Sequence, residues 1–199
     1  MTVTEEPDDT GSPTYGPTAL ATPANFVTVA RILATPVFVL LIANGDPSWV
    51  TFTVGFVIGM SDFADGWLAR RQGATRSGAF LDPLADKVLV LGGMFALVAN
   101  GQFHWLPVAV IAVRELAISA YRSRAGRRGI TVPATKMAKW KTFVQLWSIG
   151  FAVIPPIASS VHWIATSTLW LAVALTLQTG VSYLAGARRV AQSQLKEDL

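Results

Sequence analysis

Along most of this chain polar positions are too sparse to alternate with apolar ones at a helical or a strand period. Long nonpolar runs are instead separated by short polar breaks. A helix of about 20 such residues crosses a bilayer core. Six runs approach that length: Phe26–Ala43, Trp49–Ala69, Phe80–Asn100, Leu106–Tyr121, Phe143–Ala158 and Trp163–Ala187. Asn44-Gly45-Asp46-Pro47, Gly101-Gln102 and the region after Pro155-Pro156 carry turn chemistry, while the other breaks are basic. The pattern predicts an all-α integral membrane protein: a six-transmembrane-helix bundle over residues 25–190, without soluble modules.

Composition sharpens this. With 52% hydrophobic and only 14% charged residues, the position of each charge becomes informative. Residues 1–24, with Glu5, Glu6, Asp8, Asp9 and four prolines, lack the basic start and apolar centre of a secretory signal. They read as a disordered cytoplasmic tail, and residues 191–199 as a second, C-terminal one. The absence of cysteine excludes disulfides and thiolate metal sites.

The net charge of +4 is unevenly spread. Arg70, Arg71 and Arg76 fall between the second and third runs. Arg122, Arg124, Arg127, Arg128, Lys136, Lys139 and Lys141 fall between the fourth and fifth, and Arg188, Arg189 and Lys196 follow the last. The connections near Asp46, Gln102 and His162 carry no lysine or arginine. An even number of spans puts both termini on the basic side, which the positive-inside rule assigns to the cytoplasm. The expected location is therefore the cytoplasmic membrane, multi-pass, with membrane lipids as surroundings. Trp49, Trp105 and Trp163 would mark the outer interface, Trp67 and Trp140 the inner. The basic residues are interleaved with spans and carry no nucleic-acid motif, so no nucleic-acid partner is expected.

Apart from the terminal acids and Asp46, every acid lies in or at the end of a predicted span: Asp62, Asp65, Asp82, Asp86 and Glu115. Such placement is expensive and usually functional. Asp62 and Asp65 stand at i, i+3 near the cytoplasmic end of the second helix, and Asp82 and Asp86 at i, i+4 near the start of the third. A short loop between these helices predicts an antiparallel hairpin with the four carboxylates in one pocket at similar depth. Unpaired, they would repel and take up protons. Arg70, Lys87 and neighbouring arginines could compensate them structurally. Metal fits better: an all-oxygen site suits magnesium, manganese or calcium, with magnesium the default, whereas His104 and His162 belong to outer loops. Gly66, Ala69, Gly73 and Gly78 permit close approach beside the acids or serve helix packing.

Taken together, Asp62-Phe-Ala-Asp65-Gly66-Trp-Leu-Ala69-Arg70, followed by Gly78-Ala-Phe-Leu-Asp82-Pro-Leu-Ala-Asp86, resembles the motif of the CDP-alcohol phosphatidyltransferases. Seven residues separate Arg70 from Gly78, one fewer than the family's usual spacing. The resemblance covers most of residues 25–187. It implies a homodimer with its site open to the cytoplasmic leaflet, and two metals (Mg2+ or Mn2+) held against a diphosphate by Asp62, Asp65, Asp82 and Asp86. Asp86 is further implied as the general base. Contacts to CDP-diacylglycerol are implied for Asn25, Thr28, Gly66, Ala69, Arg70, Thr75 and Gly78.

The acceptor alcohol is addressed by other residues. Arg114, Arg122, Lys139 and Lys141 are basic groups near the cytoplasmic side that could recognise a phosphorylated acceptor, although loop cations also serve topology. Arg114 lies within a span, beside Glu115 as an available structural partner. The stretch from Arg114-Glu115 through Arg122, then Lys139-Trp-Lys141-Thr142-Phe-Val-Gln145, resembles the branch of the family that makes phosphatidylglycerophosphate. That resemblance implies glycerol 3-phosphate as acceptor, its phosphate held by Arg114, Arg122, Lys139 and Lys141. Inositol phosphate or phosphatidylglycerol are the alternatives within the family. A cation or proton transporter is the alternative outside it, but it would need a pathway to the outer face, where the spans are nearly uncharged.

Overall fold

The computed structural model describes the backbone of residues 23–72, 76–127 and 136–197, and the side chains of 26–61, 84–121, 123–124 and 140–182. Within those residues the chain forms seven helices and no strand: α1 (Pro23–Asn44), α2 (Trp49–Gln72), α3 (Arg76–Ala99), α4 (Trp105–Arg127), α5 (Lys136–Val153), α6 (Pro155–Ser160) and α7 (Trp163–Glu197). The Phe26–Asn44 and Trp163–Ser182 segments are long and apolar enough to cross a membrane.

Local chemistry sets several helix ends. Ser48 Oγ accepts a 3.1 Å hydrogen bond from the Thr51 amide, satisfying an otherwise orphaned N–H at the start of α2. After α3, Gly101 takes φ +74°, a left-handed conformation open to glycine, and its amide donates to the Val98 carbonyl at 3.0 Å. The helix predicted over Phe143–Ala158 is broken. α5 stops at Val153, Ile154 is extended (φ −74°, ψ 117°), and α6 restarts on Pro155-Pro156. A proline disfavours helical backbone in the residue before it and suits the first turn of the next helix. At its other end α5 begins at Lys136, so Lys139 and Lys141 lie on helix, not in a loop. α7 runs on to Glu197, through most of the segment expected as a tail.

The helices share one polarity. The buried seam of α1 runs Thr28, Arg31, Thr35, Phe38, Ile42, polar in its first half and apolar in its second. α5 buries Lys141, Gln145 and Ser148 before Ala152, and α7 reverses the order, with Ala165, Leu169 and Ala172 before Thr176 and Thr179. Long-range hydrogen bonds fix the directions. Asn100, just past α3, donates to the Ile42 and Gly45 carbonyls at 2.9 and 3.0 Å, so α1 and α3 end together. Arg31 Nε donates to Ser61 Oγ at 3.1 Å, so α1 and α2 run in opposite senses. The polar halves therefore gather at one end of the bundle. Outward faces are the reverse of a soluble protein's, with Phe26, Leu33, Val37, Leu40 and Phe56 exposed while threonines and an arginine are buried.

α1 packs on both α2 and α3, and α5 packs on α7. Among the described residues both aspartate-bearing helices pack on α1; apart from Asp86, the carboxylates of the predicted hairpin pocket lie outside the described side chains. The Phe38 ring makes the joint: a Cβ on Gly55 of α2 would lie 2.5 Å from its Cε2, and one on Gly93 of α3 would lie 3.4 Å from its Cε1. Glycine on either side lets an aromatic ring set the spacing of α2 and α3.

Candidate functional site

Helical register carries the acidic frame. Asp62 and Asp65 sit one turn apart on α2, followed there by Gly66, Ala69 and Arg70, while Gly78, Asp82 and Asp86 follow one another at four-residue spacing on α3. The side chains of residues 62–83 fall outside the described ones, and so do Thr75 and the side chain of Asn25. Of the four aspartates, Asp86 has a described side chain; it is half-buried, beside Lys87. Among the described residues no three potential ligand side chains stand together.

What is described around that frame comes from α1. Thr28, expected at the nucleotide, is buried on the α1 seam, one turn from Arg31, which is 2% exposed. Arg31 reaches across to Ser61, which in turn donates to the Ile58 carbonyl at 2.7 Å and directly precedes Asp62. A buried guanidinium therefore stands at the base of the first aspartate pair. Sequence reasoning did not single out Arg31. The available signal was a cation inside an apolar run with Thr28 and Thr35 three and four residues away on the same helical face.

The basic residues divide in two. Arg122 and Lys139 lie on α4 and α5 with side chains outside the described set. Arg114 and Lys141 come together on one oxygen: Glu115 Oε1 accepts from Arg114 Nη1 at 3.0 Å and from Lys141 Nζ. Arg114 Nη2 also donates to Thr179 Oγ1 on α7 at 2.8 Å. One turn further along α5, Gln145 Nε2 donates to Thr176 Oγ1 at 3.2 Å. A polar ladder thus joins α4, α5 and α7. α3, which carries Asp86 and Lys87, packs against both α4 and α5, which sets this cluster beside the acidic frame.

An apolar cavity of about 290 Å³ opens on the other side, between α2 and α5. Phe52, Gly55, Gly59 and Met60 line it from α2, and Trp147 and Gly150 from α5. One of its lining residues, Met60, is two residues from Asp62. The arrangement offers acids and a cluster of buried cations toward one end of the bundle, and an apolar cavity that runs from Met60 into the apolar half.

Residues 21–178 match the CDP-alcohol phosphatidyltransferase family. The chain is 36% identical over 183 residues to a probable phosphatidylglycerophosphate synthase of Mycobacterium tuberculosis, covering 87% of this chain and 85% of that one. It is 32% identical over 171 residues to a CDP-diacylglycerol--glycerol-3-phosphate 3-phosphatidyltransferase of Rickettsia bellii (83% and 94% covered). It is 32% identical over 172 residues to the similarly named protein of Haemophilus influenzae (82% and 91% covered).

Proposed function

The chain belongs to the CDP-alcohol phosphatidyltransferase family, and on that premise we propose that it moves a phosphatidyl group from CDP-diacylglycerol to glycerol 3-phosphate, giving phosphatidylglycerophosphate and CMP. The observation that carries this is the aspartate frame from Asp62 to Asp86, complete in all four acids and inside the matched segment. The acceptor is the alcohol named for the Rickettsia and Haemophilus relatives. The buried Arg114 and Lys141 support a phosphorylated one.

The protein acts as a multi-pass membrane enzyme with six crossings, both termini and the site on the cytoplasmic side, and as a homodimer. The inverted exposure of α1, apolar outside and polar within, supports the membrane setting. So does the distribution of arginine and lysine, concentrated at the polar end of the bundle.

Donor chemistry fits a hard divalent cation such as magnesium. The frame offers carboxylate oxygen alone, the chain has no cysteine, and His104 and His162 stand before α4 and α7, at the opposite end from Asp86. Asp62, Asp65, Asp82 and Asp86 would hold the metal. Bound there, it supplies charge neutralisation for the donor diphosphate and for the departing phosphate of CMP. Asp86 takes the proton of the attacking acceptor hydroxyl as the new P–O bond forms and the bond to CMP breaks. Arg114 and Lys141, with Arg122 and Lys139, fix the acceptor phosphate, so that its free hydroxyl is presented to the diphosphate. Thr28, Asn25, Gly66, Ala69, Arg70, Thr75 and Gly78 form the nucleotide side. The α2–α5 cavity, starting two residues from Asp62, suits one acyl chain of the donor.

The test is direct. Purified protein is incubated with CDP-diacylglycerol and magnesium, with glycerol 3-phosphate, inositol phosphate or phosphatidylglycerol offered separately, while CMP release is followed. Release with glycerol 3-phosphate is expected. Release with another acceptor alone would reassign the substrate, and no release with any would defeat the transferase reading.

A further inference from the structure

Glu115 is an acid inside α4 that the proposed reaction does not use. One of its oxygens holds cations from two helices, Arg114 of α4 and Lys141 of α5, and the three side chains are 12%, 14% and 7% exposed for Glu115, Arg114 and Lys141. Two cations each in hydrogen-bond contact with the same oxygen lie no more than about 6 Å apart. Without an anion between them they would repel and splay.

The rest of the cluster holds Arg114 in that pose. Thr179 takes its Nη2 and passes its own hydroxyl to the Leu175 carbonyl at 2.8 Å or the Thr176 carbonyl at 3.0 Å. Gly180 gives the guanidinium room, since a Cβ there would lie 3.2 Å from Arg114 Nε. That Nε is buried and makes no hydrogen bond among the described residues. A buried donor left unmatched inside an otherwise bonded network marks a cluster that is incomplete without a further acceptor. Among the described residues, the two cations less the one carboxylate leave one positive charge in the cluster.

We propose that Glu115 is a positioning residue of the acceptor site: it draws Arg114 and Lys141 together, with Thr179 and Gly180 setting the guanidinium, so that the pair receives a phosphomonoester dianion. This rests on the proposed transfer to a phosphorylated alcohol. Glu115 itself does not touch the reacting atoms. Its effect is confined to how well the acceptor is held, and the nucleotide-lipid donor is indifferent to it.

The experiment varies glycerol 3-phosphate and CDP-diacylglycerol independently for the full chain in detergent, as wild type, Glu115→Gln and Glu115→Asp. Thermal unfolding is recorded alongside. Glu115→Gln is expected to raise the acceptor KM roughly tenfold or more, the loss of a charge-assisted hydrogen bond, with the donor KM within about twofold. Glu115→Asp, which keeps the charge, recovers part of that loss. An unchanged acceptor KM, or equal rises for both substrates, overturns the proposal. Should Glu115→Gln fail to fold, Glu115→Asp applies the same criterion, since its shorter reach also loosens one of the two contacts. A wild-type protein inactive with every phosphorylated acceptor would instead defeat the underlying functional reading, leaving this proposal without its premise.

Discussion

Replacing Gly55 by alanine tests whether Phe38 sets the distance between the two aspartate-bearing helices. The new Cβ would lie 2.5 Å from Phe38 Cε2 and 2.7 Å from Cζ. Ordinary carbon contacts are about 3.5–4.0 Å, so ring or helix must yield about 1 Å. The ring is 3% exposed, with α3 at Gly93 across from it, so its open direction is into the α2–α5 cavity that it lines. Overpacking of this kind costs about 1–3 kcal/mol, offset by about 1 kcal/mol from alanine's better helix propensity, which leaves a net loss of about 0–2 kcal/mol. The functional effect should be larger. Gly55 is seven residues, or about 10 Å of helix, from Asp62, and a 1 Å misplacement of catalytic groups is worth about 100-fold in rate. Thermal unfolding in detergent and CMP release would be measured for wild type, Gly55→Ala, Phe38→Leu and the double variant. The expected pattern is a small stability loss and a 10- to 100-fold rate loss in Gly55→Ala, both partly relieved by Phe38→Leu. A Gly55→Ala protein with wild-type turnover, or a rate loss that Phe38→Leu leaves untouched, would refute the spacing argument.

Three further outcomes are expected. Asp86→Asn lowers turnover at least about 100-fold while helical circular dichroism and the unfolding transition persist; near-normal turnover would remove Asp86 from the role of base. Excess chelator abolishes CMP release and added magnesium restores it, and activity that persists in chelator would sink the metal reading. Asn100→Ala removes two hydrogen bonds to the Ile42 and Gly45 carbonyls at the end of α1, a loss of about 2 kcal/mol. The unfolding midpoint should fall by roughly 4–8 °C in a chain of this size, and an unmoved midpoint would contradict it.

Much of the helical plan was legible because it is local. An apolar run announces a helix wherever it occurs, and Gly101 and Pro155-Pro156 punctuate the chain through their own backbone restrictions. The proline pair was placed inside one helix, with the turn after it, yet it divides that helix, because residue 154 is excluded from helical backbone before the apolar run ends. The charged runs misled in a related way. Polarity around Lys136–Lys141 suggested loop, but a helix whose polar side faces other helices tolerates it, and α5 buries Lys141 against Glu115. The candidate site was legible as residue types at helical spacing and illegible as partnerships. Arg31 with Ser61, Lys141 with Glu115 and Arg114 with Thr179 are separated by 30, 26 and 65 residues. No periodicity in the chain encodes such distances.

The missed partnerships have a common form that changes how the site is understood. In each, an arginine or lysine stands inside a helix and finds its partner on another helix: α1 to α2 through Arg31, α5 to α4 through Lys141, α4 to α7 through Arg114. Each bond lies in the polar half of its helix, while the apolar halves meet through Phe38, Ile42, Leu97, Leu169 and Ala172. Nonpolar packing is non-directional and fixes the spacing of helices more than their partners, whereas an ion pair or charged hydrogen bond in a poorly hydrated interior tolerates little displacement before the charge is stranded. The apolar halves therefore supply adhesion and the buried cations supply register. It follows that the end of the bundle carrying the acids is also the end whose helix positions are most tightly specified, which is where transfer from a bound diphosphate to the hydroxyl of a bound alcohol needs them to be.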